Sequence, residues 1–172
     1  IVLALAFILD PELIIADEPT TGLDVLLRDK ILADIESYQN EFNVSILIVS
    51  HDIADLVETC DSLMVMYGGK IVERAPSRQL VQAPTHPYTM GLINSTPSLE
   101  TDTDGLISMS MDPPDLQDPP DGCRFIEKCP FDVPECRTAH PESITRNGST
   151  SACYRADDSD ELQERIQSEG WM

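Results

Sequence analysis

Apolar and polar positions follow two different periods along this chain, and the switches between them mark out its elements. Leu13 to Asp17 is a short apolar run, which reads as a strand buried on both faces of a parallel sheet. From Val25 to Phe42 the spacing becomes helical: Leu27, Ile31, Ile35 and Tyr38 recur, with Arg28, Asp29, Asp34 and Glu36 between them. Asp24 stands where it can cap that helix and Asn43 where it can end it. Ser45 to Val49 is a second apolar strand. Ile53, Leu56, Val57 and Cys60 then share one face of a short helix. Ser62 to Met66 reads as a third strand, and Gly68-Gly69 as a tight hairpin turn into Lys70 to Glu73.

Strand–helix–strand–helix–strand order predicts a parallel α/β sheet. Right-handed crossovers bring the carboxyl ends of the first two strands to the same edge. Asp17 and Glu18, which follow the first strand, are therefore expected to meet His51, which follows the second, across 33 positions of sequence. Side chains alternate along a strand, so the two acids diverge unless the chain turns. Pro19, which ends ladder pairing and fixes φ, is expected to supply that turn.

After Ala75 the character changes. Ser77 to Gln82 and Pro87 to Asn94 read as two short helices, the second with proline in its first turn. Residues 97–122 hold five prolines and no basic residue, which reads as a linker. Four of the five cysteines fall within residues 123–153. Residues 156–172 read as a polar, fraying tail with a short helix around Leu162 to Ile166. The expected divisions are thus 1–75, 76–122, 123–155 and 156–172.

Ile1 to Leu9 is almost wholly apolar and too short to span a bilayer, and it lacks the basic start and cleavage site of a signal peptide. It reads as a buried helix cut through its middle, and the expectation is a piece of a longer protein. The formal charge of −20 is spread along the whole chain, with 14 acids against 4 bases in residues 1–75 and 17 against 7 thereafter. An evenly acidic surface fits adaptation to high salt, where self-repulsion is screened, and also an ordinary acidic protein. Under either reading it argues against nucleic acid or anionic lipid as a direct partner.

The chemistry starts at the two acids. An aspartate at a strand end near nucleotide phosphates can hold Mg²⁺, and a glutamate beside it can take a proton from an attacking water. His51 can hydrogen-bond a γ-phosphate or orient that glutamate; set against this, acid pairs follow strands by chance and a lone histidine is often structural. The longer strings Asp17-Glu18-Pro19-Thr20-Thr21-Gly22-Leu23-Asp24 and Ile48-Val49-Ser50-His51-Asp52 closely resemble the nucleotide-binding domain of ABC transporters, over roughly residues 1–98. The resemblance implies an α/β, parallel-sheet P-loop NTPase core, of which this is the C-terminal half, followed by a small irregular cysteine-rich extension. It implies that Leu13 to Asp17 is the Walker B strand and that Asp17 serves Mg²⁺. It makes Glu18 the catalytic carboxylate and His51 the switch histidine on the γ-phosphate. Thr21 to Asp24 becomes the D-loop, with Asp24 beside Asp17 among the cofactor-binding residues.

Other family motifs are missing from these residues. There is no G-x-x-x-x-G-K-[ST] loop, no glutamine loop and no Leu-Ser-Gly-Gly signature. Gly68-Gly69-Lys70 is followed by Ile71 and sits in a hairpin, so it is a decoy. The expectation is that the isolated chain shows no magnesium-dependent ATPase activity.

Ala83-Pro84-Thr85-His86-Pro87-Tyr88-Thr89 resembles the extension of oligopeptide and dipeptide importer ATPases and of related nickel importers. Cys123, Cys129, Cys136 and Cys153 are spaced C-x5-C-x6-C-x16-C, while Cys60 stands apart and reads as core. Clustered thiols favour metal over disulfide in a reducing compartment, and the lack of C-x2-C pairs disfavours zinc; an iron–sulfur cluster, zinc and unligated or disulfide-bonded cysteines all stay open. Gly122-Cys123-Arg124-Phe125 with Cys129-Pro130 resembles the cysteine-rich motif of peptide-importer ATPases, which implies a [4Fe–4S] cluster on those four cysteines.

The resemblance as a whole implies a subunit that uses ATP and Mg²⁺ to power peptide import. Its partners would be integral membrane permease subunits, a second ATPase subunit and, indirectly, an extracellular solute-binding protein. Its place would be peripheral, on the cytoplasmic face of the membrane. The alternatives are an ATPase importing nickel or another small solute, a non-catalytic iron–sulfur regulatory module, and a soluble ABC ATPase of DNA repair or translation. Intact Asp17, Glu18 and His51 argue against the second, and the H-P-Y-T string against the third.

Overall fold

A computed structural model describes residues 2–96 and 114–170, and its chain contacts divide into two units, Ile1–Cys60 and Asp61–Met172. The first unit runs α1 (Val2–Phe7), β1 (Leu13–Asp17), α2 (Val25–Phe42), β2 (Ser45–Val49) and α3 (Ile53–Thr59). β1 and β2 pair in parallel, Leu13 opposite Ser45 through to Asp17 opposite Val49. The local signals hold. Asp24 Oδ1 accepts the Leu27 N–H at 2.9 Å, and Asn43 ends α2 in the left-handed region at φ 50°. Both devices are local, so sequence reveals them.

Burial in this unit departs from the expectation. Ile14, Ile35, Val44 and Ile53 are buried, but Leu13 and Ile15 are 54% and 65% exposed. The β1 strand is thus covered on one face, not two, since Ile14 is buried while its neighbours on the opposite face are exposed. The apolar start does form a helix, yet Leu5, Ile8 and Leu9 are exposed rather than buried.

The second unit corrects the predicted sheet. β3 (Ser62–Tyr67) does not continue the parallel pair; it turns through Gly68-Gly69 and pairs antiparallel with β4 (Lys70–Pro76). Both glycines have positive φ, 55° and 76°, the conformation that a two-residue primed turn requires. β5 (Ile144–Arg146) and β6 (Ser149–Ser151) add to β4, giving the order β3-β4-β6-β5. A hairpin closes with almost no loop entropy, so antiparallel pairing with β4 is locally favoured. α4 (Ser77–Gln82) and α5 (Pro87–Asn94) appear where predicted. Most of the predicted linker, residues 97–113, lies outside the described residues, and 114–122 has no regular structure.

The cysteine-bearing segment contains a 3₁₀ turn (Ile126–Lys128) and α6 (Glu135–Thr138), and its β5–β6 hairpin is part of the main sheet. A second 3₁₀ turn (Ala156–Asp158) leads into α7 (Ser159–Glu169). This helix is no fraying tail: Leu162 and Ile166 are fully buried against Met90 and Phe131. Two apolar residues four apart supply its whole buried stripe, too few to stand out among the charges around them.

At the centre of this unit lies a charged residue. Glu73 on β4 is fully buried. Its Oε1 accepts the Thr85 N–H at 2.8 Å, the Thr85 hydroxyl at 2.8 Å and the Ser149 hydroxyl at 3.0 Å, and its Oε2 accepts the His86 N–H at 2.9 Å. His86 then caps α5, its Nδ1 accepting the Tyr88 N–H at 3.0 Å. An accepting Nδ1 carries no proton, so the neutral ring's proton is on Nε2. Burial pushes the His86 pKa down to about 3, and the ring stays neutral at any ordinary pH.

Candidate functional site

The candidate site forms where β1 and β2 end. Parallel register sets Asp17 level with Val49, and the Glu18 N–H extends the ladder by donating to the Val49 carbonyl at 2.8 Å. One residue beyond Asp17 and two beyond Val49, Glu18 meets His51: Nδ1 lies 2.9 Å from Oε1 and 3.0 Å from Oε2. As expected, Pro19 takes the first central position of the turn that follows β1, and the chain leaves the ladder at Glu18, whose φ of 48° is left-handed. A non-glycine residue held there stores strain, and such strain concentrates at functional positions. The turn closes with the Thr21 N–H donating to the Glu18 carbonyl at 3.2 Å and the Thr21 hydroxyl to Glu18 Oε2 at 2.7 Å.

The Thr21 hydroxyl and then the His51 ring hold the Glu18 carboxyl below the usual carboxylate range. The Glu18 contact raises His51, first through the hydrogen bond and then through charge. The signs define a window. The Glu18 contribution is present above its unfolded pKa and is lost as pH falls through the depressed folded value. The His51 contribution is present below its unfolded pKa and is lost as pH rises through the elevated folded value. NMR titration of the His51 ring is expected to give a pKa above that of free histidine, and Glu18→Gln to return it towards the free value. Both groups are solvent-accessible, so salt should weaken the shift.

Asp17 ends β1 and is exposed; Asp24 is engaged as the α2 cap. Beside them a cleft of about 230 Å³ is lined by Thr20 to Leu23, Arg28, Ser50 to Asp52 and Asp55. Carboxylates are a suitable donor set for Mg²⁺. Two contributors escaped the sequence reading. Thr21 could have been found, since it lies three residues beyond Glu18 in a turn. Arg28 gave no signal, being one more polar residue on α2.

The four clustered cysteines all lie in the second unit. Gly122 lets two of them approach: a Cβ there would lie 2.0 Å from the Cys136 carbonyl oxygen, which accepts the Cys123 N–H at 2.8 Å. Three thiols each face the N–H two residues on: Cys123 that of Phe125, Cys129 that of Phe131, and Cys153 that of Arg155 at 3.4 Å. Burial pushes Cys129 and Cys153 up to about 12, and charge on the neighbouring cysteines adds to it. None of the four is in a disulfide, and among the described residues no group of three or more His, Cys, Asp or Glu side chains stands ready to hold a metal ion.

Residues 72–136 match the family model of the oligopeptide/dipeptide transporter C-terminal region. The chain is 34% identical over 155 residues to the oligopeptide transport ATP-binding protein OppD of Salmonella typhimurium, covering 90% of this chain and 46% of that protein. It is 37% identical over 158 residues to the dipeptide transport ATP-binding protein DppD of Bacillus subtilis, covering 91% and 47%. To the probable peptide ABC transporter ATP-binding protein y4tR of Sinorhizobium fredii it is 39% identical over 158 residues, covering 91% and 47%. The chain spans about half the length of the curated relatives it matches.

Proposed function

We propose that the chain, similar over nine-tenths of its length to oligopeptide and dipeptide transport ATP-binding proteins, belongs to their family and forms part of an ATP-hydrolysing subunit powering import of oligopeptides or dipeptides across the cytoplasmic membrane. The observation that carries the reading is the Glu18–His51 contact at the joined ends of two parallel strands. Magnesium-bound ATP supplies the scissile phosphoanhydride and neutralises charge when present. Glu18 accepts a hydrogen bond from the attacking water. Its depressed pKa keeps it ionised at neutral pH, so it polarises and orients that water. His51 donates to Glu18 through Nδ1, and in its imidazolium form, which the Glu18 contact favours, Nε2 donates to a γ-phosphate oxygen. Asp17 serves the magnesium ion, and Asp24 fixes the start of α2 beside it.

The subunit pairs with a second ATPase subunit and docks peripherally on membrane permease subunits fed by a solute-binding protein. No helix among the described residues is long and apolar enough to cross a membrane. The test is turnover of the subunit assembled with its membrane partners. Glu18→Gln is expected to reduce it at least ~100-fold with ATP still bound, as loss of a general base does. Turnover within a few-fold of the parent would overturn the assignment of Glu18. The 172-residue chain alone, which contains no phosphate-cradling glycine loop, is expected to show no turnover.

The reading extends to a [4Fe–4S] cluster on Cys123, Cys129, Cys136 and Cys153. Support comes from the backbone N–H groups facing three of the sulfurs, which would stabilise thiolates. Protein purified without oxygen should contain about four irons per chain and absorb in the visible, and Cys136→Ser should lose both signals. An iron-free, colourless sample would end this part of the reading.

A further inference from the structure

The His51 side chain is 80% exposed, so packing does little to place it. Its position comes from the turn Ser50-His51-Asp52, which is locked on both sides. The Asp52 N–H donates to Ser50 Oγ at 3.1 Å, and Asp52 Oδ1 accepts the Ala54 and Asp55 N–H groups as the α3 cap. The second Asp52 oxygen is engaged from a different element. Arg28, one turn into α2, donates through Nη1 to Asp52 Oδ2 at 2.8 Å, and its Nε stands 3.6 Å from Asp55 Oδ1.

This pair differs from an ordinary surface salt bridge, which holds two free side chains and contributes little. Arg28 and Asp52 are only about a third exposed and Asp55 about a tenth. Asp52 is already fixed by its capping bonds, so an arginine on it restrains the backbone next to His51. Arg28 is itself bonded to the other side of the site, its N–H donating to the Asp24 carbonyl at 2.9 Å. Burial and the neighbouring Asp52 raise the Asp55 carboxyl, and Arg28 opposes that shift.

We propose that Arg28 is a positioning residue: by clamping Asp52 from α2 it holds the 50–52 turn so that His51 stays on Glu18. The role in turnover rests on the ATPase reading above, but the geometry can be tested without nucleotide. In the 172-residue chain, ¹H–¹⁵N spectra of the His51 ring at one fixed pH report its contact with Glu18, and Glu18→Gln marks where the signals go when that contact is absent. Arg28→Gln is expected to move them at least half of that way. Asp52→Asn should do the same, because asparagine caps a helix as well as aspartate but does not pair with Arg28 as a charge. Arg28→Lys, which keeps the charge, should stay near the parent signals. The double variant Arg28→Gln/Asp52→Asn should go no further than either single change, as expected for two ends of one contact. Asp52→Asn carries the test if Arg28→Gln fails to fold, which far-UV circular dichroism would show. His51 signals unmoved in Arg28→Gln and Asp52→Asn overturn the proposal, whatever the turnover experiment gives.

Discussion

Glu73→Ala is expected to destabilise the unit of residues 61–172 by about 4 kcal/mol, since it strands two buried backbone N–H groups at about 1–3 kcal/mol each. Those groups are the Thr85 and His86 N–H donors, which both point at the fully buried Glu73 carboxylate. The Thr85 and Ser149 hydroxyls lose their acceptor too, but each can rotate; they already lie 3.3 Å apart. Removing a desolvated carboxylate returns part of the cost of burying it, which keeps the total below the plain sum of lost bonds. Glu73→Gln is the informative companion. Its carbonyl can still serve the donors at Oε1, while its amide would face the His86 N–H, donor against donor. An intermediate loss is expected. Urea denaturation followed by circular dichroism would rank the three proteins. Equal stability of Glu73→Ala and the parent would show that the carboxylate is not the anchor of the segment entering α5.

Leu162→Ala is expected to cost about 3 kcal/mol, the usual outcome when a fully buried leucine is cut to alanine and the site only partly collapses. Ile166→Ala should behave alike, because both side chains meet Met90 and Phe131 in one cluster. For a unit of this size the change corresponds to a fall in thermal midpoint of roughly 10 °C or more. Glu164→Ala, on the exposed face of the same helix, should change stability by less than about 0.5 kcal/mol. That contrast separates a helix that completes a core from one that merely rests on it.

These residues also show what could be read without coordinates. The start and end of α2, the glycine hairpin and the proline at the first turn of α5 were legible because each depends on a few adjacent residues. The Glu18–His51 contact was legible for a topological reason: two strands joined by a helical crossover must end at one edge. The turn at Pro19 was legible, but the left-handed φ of Glu18 that opens it was not, because glutamate is not a residue from which such a φ is expected. Glu73 stood in Lys70-Ile71-Val72-Glu73-Arg74 as an ordinary outward charge. Its burial depends on Thr85, His86 and Ser149, up to 76 residues away, and no local pattern announces such a set. The same holds for α7, whose two apolar residues gain meaning only against Met90 and Phe131.

The sequence by itself determined the chemistry of the site, a strand ending in two acids and a second strand ending in a histidine, since side-chain identity and strand periodicity are written residue by residue. Only the tertiary structure decided that β3 leaves the parallel pair for β4, that a buried carboxylate anchors the entry to α5, and that Arg28 reaches Asp52. The choice in each case is among alternative partners, adjacent in sequence for β3 and distant for Glu73 and Arg28. It is settled by which arrangement pairs the most buried polar groups and removes the most apolar surface from water, and that comparison exists only once the chain has folded.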